Sequence, residues 1–148
     1  MKKYRTSLEA LFLMVFYFLL LVSFLTCSKD ESLIGTRPID TYSYIGYDSS
    51  GIAINQGWIK YRLTDSYRVK GEWHLESINY IKNIGQQIGN GELTGEIHSD
   101  TIFFNLNPPY LDNNVILIGN LLSDKISGVW QWITYAGLTN WGTFRAEK

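Results

Sequence analysis

The chain reads as an all-β protein, an antiparallel meander of about eight strands closing into an up-and-down barrel. Three observations predict this. Apolar and polar residues alternate with a period of two, the pattern of strands with one buried and one solvated face. Short strings rich in Asp, Asn, Ser and Gly separate those segments, as hairpin turns require. No stretch beyond residue 40 carries a convincing amphipathic helical period.

The turn strings place strands over 41–48, 52–63, 67–78, 91–98, 101–106, 114–122, 125–135 and 140–147. The connections are "DSSG", "LTDS", the longer "KNIGQQIGN", "HSD", "NPPYLDN", "LSDK" and "AGLTN". The third strand is the clearest. Tyr67, Val69, Gly71, Trp73 and Leu75 fall on one face, and Arg68, Lys70, Glu72, His74 and Glu76 on the other. Gly91 to His98 repeats the pattern, with Leu93 and Ile97 alternating against Glu92, Thr94, Glu96 and His98. A weak internal repeat, Gly-x-large-apolar, recurs as GWI (57–59), GEW (71–73), GEL (91–93), GNL (119–121), GVW (128–130) and GTF (142–144). The two residues share a face, and small barrels often alternate small and large inward positions. A long meander removes its edge strands by closing. The alternative is a two-sheet β-sandwich.

Residues 1–26 form an address rather than part of the fold. Lys2, Lys3 and Arg5 precede Ala10–Thr26, an uninterrupted run of 17 apolar or small residues. A positive start followed by such a run reads as a secretory signal. It is also just long enough to span a bilayer as an uncleaved anchor. Either way, the positive-inside rule places the rest of the chain outside the cytoplasm. Residues 27–40 make a short polar tether, and residues 41–148 make one domain.

The chain contains a single cysteine, so it forms no intrachain disulfide and no cysteine metal cluster. From Ser28 onward, 10 Lys plus Arg stand against 13 Asp plus Glu, a net charge of -3. That balance gives no electrostatic reason to expect nucleic acid as a partner.

Phe24-Leu25-Thr26-Cys27 resembles the lipobox of a bacterial lipoprotein signal. Phe and Thr stand where Leu and a Gly, Ala or Ser are usual, a looseness familiar in Bacteroidota-type lipoproteins. The resemblance implies cleavage before Cys27 and lipidation of that residue. Ser28, Lys29, Asp30 and Glu31 resemble the Lys-plus-acidic tag of surface-exposed lipoproteins of that phylum. It implies an outer-membrane location, facing outward. Two or three acyl chains on one residue anchor stably where one is marginal. Residues 41–148 also resemble the calycin-type barrels, including avidin-like and small lipocalin-like domains, in length and strand count. "GQQIGNGELTGEI", "LNPPYLDNNVILIGNL" and "SGVWQWITYAGLTNWGTFRA" look like a pattern recurring in lipoproteins of no assigned activity.

Catalytic chemistry finds little support. The chain has no nucleophile elbow, HExxH, P-loop or dinucleotide fingerprint. No cofactor is expected, and no catalytic residue is assigned. Glu72, His74, Glu76, Glu92, Glu96 and His98 would share one face if the third and fourth strands pair, which raises a metal question. A solvated charged face is the preferred account, and no metal site is assigned.

Two other residue sets qualify as sites. Tyr61, Tyr67, Trp73, Trp130, Trp132 and Phe144 take the inward register. They suit a small-molecule cavity or, as we prefer, a filled core. Phe103, Ile116, Ile118, Val129, Ile133, Tyr135 and Trp141 take the outward register on the last four strands, where a contiguous apolar patch marks an interface. The function expected is therefore a non-catalytic, lipid-anchored envelope lipoprotein whose barrel binds a protein partner, a second copy or a small molecule. The alternatives are an accessory subunit docking through its apolar outer strands, a small-ligand barrel, or an enzyme.

Overall fold

The computed structural model describes residues 39–79 and 82–148. Eight strands follow in chain order: β1 (Asp40–Asp48), β2 (Ala53–Leu63), β3 (Arg68–Ser77), β4 (Gly89–His98), β5 (Thr101–Asn105), β6 (Asn113–Leu122), β7 (Lys125–Thr134) and β8 (Gly137–Glu147). Each pairs antiparallel with the next, and β8 pairs back onto β1, from Ser43 opposite Glu147 to Asp48 opposite Gly142. The meander is thus a closed barrel and not a sandwich, and none of the described strands is left as an unpaired edge. No helix occurs among the described residues.

The strand limits follow the turn strings closely. The largest difference is at β8, which begins at Gly137 instead of 140. Gly137 takes φ +96°, a left-handed conformation that glycine adopts without strain. This permits a tight turn at Tyr135-Ala136, so Gly137 and Leu138 already pair with Thr134 and Ile133.

Cross-strand register explains the Gly-x-apolar repeat. Inner-face glycines stand opposite large side chains on a neighbouring strand. Gly57 faces Tyr44, Gly71 faces Tyr61, Gly91 faces Trp73, Gly128 faces Phe144 and Gly142 faces Trp130. An eight-stranded barrel has room for little more than its own side chains, and two large rings on paired positions would collide. At Gly142 an added Cβ would lie 2.0 Å from the Tyr47 carbonyl oxygen and 2.6 Å from Trp130 Nε1.

Both ends of the interior are built from specific contacts. At the end where β1 begins, Tyr42 and Tyr61 stack at 5.6 Å and share a hydroxyl–hydroxyl hydrogen bond of 3.3 Å. At the other end a bulge and a loop act together. The β1–β2 register shifts after Gly46, so Asn55 faces Gly46, Ala53 faces Tyr47, and Ile54 is an extra residue. Ile54 and Asn55 are consecutive, yet both are fully buried, which an unbulged strand does not allow. The β3–β4 loop then inserts Ile84 and Gln87. Asn55 Nδ2 donates to the Gln87 backbone carbonyl (3.0 Å) and to its side-chain Oε1 (3.1 Å). Gln87 Nε2 donates to the Ile84 carbonyl (2.5 Å), and Asn107 Nδ2 donates to the Gln86 carbonyl (2.8 Å). The string "KNIGQQIGN" is therefore more than a connection, because it supplies a hydrogen-bonded stopper.

Candidate functional site

The inward aromatic residues form the core instead of the wall of a void. Trp73, Trp130 and Phe144 are at most 1% exposed, and Tyr61 is 3% exposed. Tyr61 packs against Phe104 at 5.0 Å, and Phe144 stacks on Tyr44 at 5.6 Å. The indole N–H groups of Trp73 and Trp130, which would orient a ligand, are already engaged. Trp73 Nε1 donates to the Leu106 carbonyl (2.7 Å) and Trp130 Nε1 to the Tyr47 carbonyl (2.8 Å). Burial of the Tyr44 and Tyr61 rings raises both phenol pKa values well above the ordinary tyrosine range, and for Tyr61 the bond to Tyr42 adds to this.

Two members of that set depart from expectation. Tyr67 lies just before β3, in the turn where Asp65 accepts from the Tyr67 and Arg68 amides at 3.0 and 2.8 Å. The turn displaces its ring from the interior onto His98, with centroids 5.3 Å apart. Trp132 keeps the inward register but sits half-buried at the end closed by the loop. There it covers Gly85 and donates from Nε1 to Asn113 Oδ1 (2.7 Å).

The charged face lies on β2, β3 and β4. Glu72 and Glu92 stand directly opposite each other, as in-register pairing requires. Glu72 is drawn instead to Lys60 on β2 (2.8 Å). His74 pairs with Glu76 (3.3 Å) and His98 with Glu96 (2.9 Å), each along its own strand. Four of the six therefore form two local pairs, and Glu72 turns to Lys60 instead of to Glu92. Among the described residues, no group of three or more His, Cys, Asp or Glu side chains is placed to hold a metal ion. The register also assembles a cluster that the sequence reading did not single out. Trp58 stacks on His74 (6.0 Å), and Lys60 Nζ lies 4.9 Å from the Trp58 ring. Its signal was present in the alternation, with Trp58 two residues before Lys60 on the outer face.

The opposite side of the barrel is the candidate interface. Phe103 on β5 faces Ile118 on β6, Ile118 faces Val129 on β7, and Val129 faces Thr143 on β8. A second row runs Asn105, Ile116, Gln131, Trp141. Ile133 stands between Asn114 and Leu138, and Tyr135 tops the β7–β8 turn. Phe103 and Trp141 are each 47% exposed, while Ile118, Val129 and Ile133 are half-buried. Neighbouring positions on these strands carry Thr, Asn, Gln or Ser. The charged outer residues, Lys125, Arg145 and Glu147, gather where β7 begins and β8 ends.

One position corrects the expected patch. Ile116 is only 6% exposed and offers little surface. It sits beside a bridge from Asn105 Nδ2 to Asn114 Oδ1 (2.8 Å), and Asn114 Nδ2 in turn donates to the Tyr110 carbonyl (2.9 Å). These bonds fold the β5–β6 loop alongside it. Ile116 therefore keeps the outward register but adds little to the exposed patch.

Cys27 and Ser28–Glu31 lie outside the described residues. No protein-family model matches the chain, and no curated protein or solved structure matches it.

Proposed function

We propose that this chain is a non-catalytic, lipid-anchored envelope lipoprotein whose barrel binds a protein partner, or a second copy of itself, through the outer face of β5–β8. The observation that carries the binding role is the cross-strand row Phe103–Ile118–Val129. It is an uncharged apolar strip on a barrel whose other side is densely charged. Apolar side chains on adjacent strands present one continuous surface, and such surfaces on soluble domains usually mark contacts. The occupied polar tips of Trp73 and Trp130 argue against an interior ligand site as the seat of function. The anchoring role rests on the sequence. Cys27 follows the apolar run directly, and a diacylated or triacylated residue there holds the domain at the outer membrane.

The test has two arms. Ile118→Lys and Ile133→Lys place a charge on the strip, so native mass spectrometry of the exported domain should lose the dimer or the captured partner while the thermal midpoint holds. Unchanged size and binding in both variants would sink the interface. Labelling cells with radioactive palmitate should mark the wild-type chain and not Cys27→Ser. Equal labelling, or none, removes the anchor.

A further inference from the structure

Up-and-down connectivity sorts the turns onto two ends of the barrel. The turns at 64–67, 99–100 and 123–124 lie at the end where β1 begins and β8 finishes. The connections at 49–52, 78–79 with 82–88, 106–112 and 135–136 lie at the far end. The two ends differ in chemistry. Each turn of the near end holds an aspartate (Asp65, Asp100, Asp124), and Asp40 at the start of β1 pairs with Lys148 at 2.8 Å.

The far end is apolar at its tips. Among the described residues, eleven large apolar side chains are exposed, and seven of them stand on or beside these four connections. Ile52 belongs to the first, Ile78 and Ile88 to the second, Tyr110 and Leu111 to the third, and Tyr135 and Leu138 to the fourth. Leu111 is 99% exposed and Tyr135 91% exposed, so both project fully from the surface. Charge is sparse here. Asp112 and Lys82 are the charged residues of the described connections, and Asp48 at the end of β1 is turned inward on its own hairpin, accepting from the Ser50 and Ile52 amides at 2.9 and 2.8 Å.

The tips also satisfy part of their own backbone. Tyr110 N–H donates to the Asn107 carbonyl (3.0 Å), the Tyr110 carbonyl accepts from Asn114, and Ala136 N–H donates to Thr134 Oγ1 (3.3 Å). That matters for the occupant, because backbone polar groups entering an apolar phase must keep their partners. Leu111 and Tyr135 project fully from two different connections, and a bilayer surface can accept each of them independently. Tyrosine, with an apolar ring and a polar tip, suits the headgroup boundary. Lys82 is the one cation among the described residues of these connections, so attraction to anionic headgroups is not the driving force.

We propose that the far end of the barrel is a lipid-contact surface, with Leu111, Tyr135 and Leu138 entering the headgroup boundary of a neutral bilayer. This surface shares Tyr135 with the candidate interface set but lies apart from the Phe103–Ile118–Val129 strip, and it does not depend on Cys27.

The unit Ile34–Lys148 contains all eight strands and pairs every edge, so it is suited to study as a free domain. Omitting residues 1–33 also removes the apolar run that would bind vesicles by itself. The fragment should co-sediment with phosphatidylcholine vesicles, and binding should persist from about 0.1 to about 1 M NaCl, where charge attraction would be screened. Leu111→Ser combined with Tyr135→Ser should weaken binding about tenfold or more, since two inserted side chains are lost, with the thermal midpoint unchanged. A fragment that stays in solution at about 1 mM lipid, an affinity too weak to matter for a peripheral domain, overturns the proposal. So does equal binding by the double variant. If the fragment ignores lipid but dimerises, and the double variant is monomeric, the crown is a protein contact and the lipid assignment is wrong.

Discussion

The indole of Trp73 covers Gly91 on the neighbouring strand, and three of its ring atoms lie within 2.9–3.0 Å of where a Cβ on Gly91 would stand. The ring cannot easily yield, because Nε1 is tied to the Leu106 carbonyl at 2.7 Å inside the core. One side chain thus joins β3, β4 and the entry to the β5–β6 loop.

Gly91→Ala should therefore destabilise the barrel by about 1–3 kcal/mol, the range for overpacking a filled site. Urea unfolding followed by tryptophan fluorescence measures it. Trp73→Leu vacates the space over Gly91, so adding Gly91→Ala to that variant should cost clearly less than it does in the wild type. Additive costs would show that the glycine is not there to receive the ring.

The stopper at the far end gives a second test. Asn55→Leu fits the volume but strips two hydrogen bonds from Gln87 in a buried setting. Leaving buried polar groups unpaired costs about 1–3 kcal/mol each, so the variant should lose stability on that scale. Hydrogen exchange should locate the loss, with faster exchange at Gln87 and Ile88 than at the β6–β7 pair. Uniform acceleration across the barrel would show that Asn55 supports the whole core and not the stopper.

Alkaline pH should reach the buried tyrosines. Burial raises the Tyr44 pKa in the folded state, and its hydroxyl has no hydrogen-bond partner among the described residues. In the unfolded chain tyrosine titrates near ~10. The raised folded value means that this contribution is complete below pH ~10 and is lost as pH rises above it, as the unfolded chain releases a proton that the folded one keeps. Each such phenol adds about 1.4 kcal/mol of loss per pH unit in that window. Urea midpoints at pH 9, 10 and 11 should fall more steeply for wild type than for Tyr44→Phe. Parallel curves would mean that Tyr44 ionises in the folded state as readily as in the unfolded one.

Local pattern carried much of the architecture. The alternation from Tyr67 to Glu76 gives the faces of β3 correctly from Arg68 onward, because pleating is a property of the strand itself. It fails at Tyr67, where Asp65 caps a turn and period-two logic no longer applies. It also misjudges Ile116, whose outward register is correct but whose exposure depends on a loop tied down through Asn105 and Asn114. Consecutive burial of Ile54 and Asn55 was illegible for a related reason. A bulge is a mismatch between two strands and has no period in either.

By itself, the sequence determined the eight strands, the side of each that turns inward, and the spacing of the glycines, since these follow from backbone geometry and near-neighbour chemistry. The tertiary structure decided which glycine receives which ring, how a polar loop closes one end, and that the turns divide into an acidic end and an apolar end. Those outcomes come from the register between neighbouring strands and from contacts between a strand and a loop, which no single segment carries. The β5–β6 and β6–β7 registers together make Phe103, Ile118 and Val129 one strip.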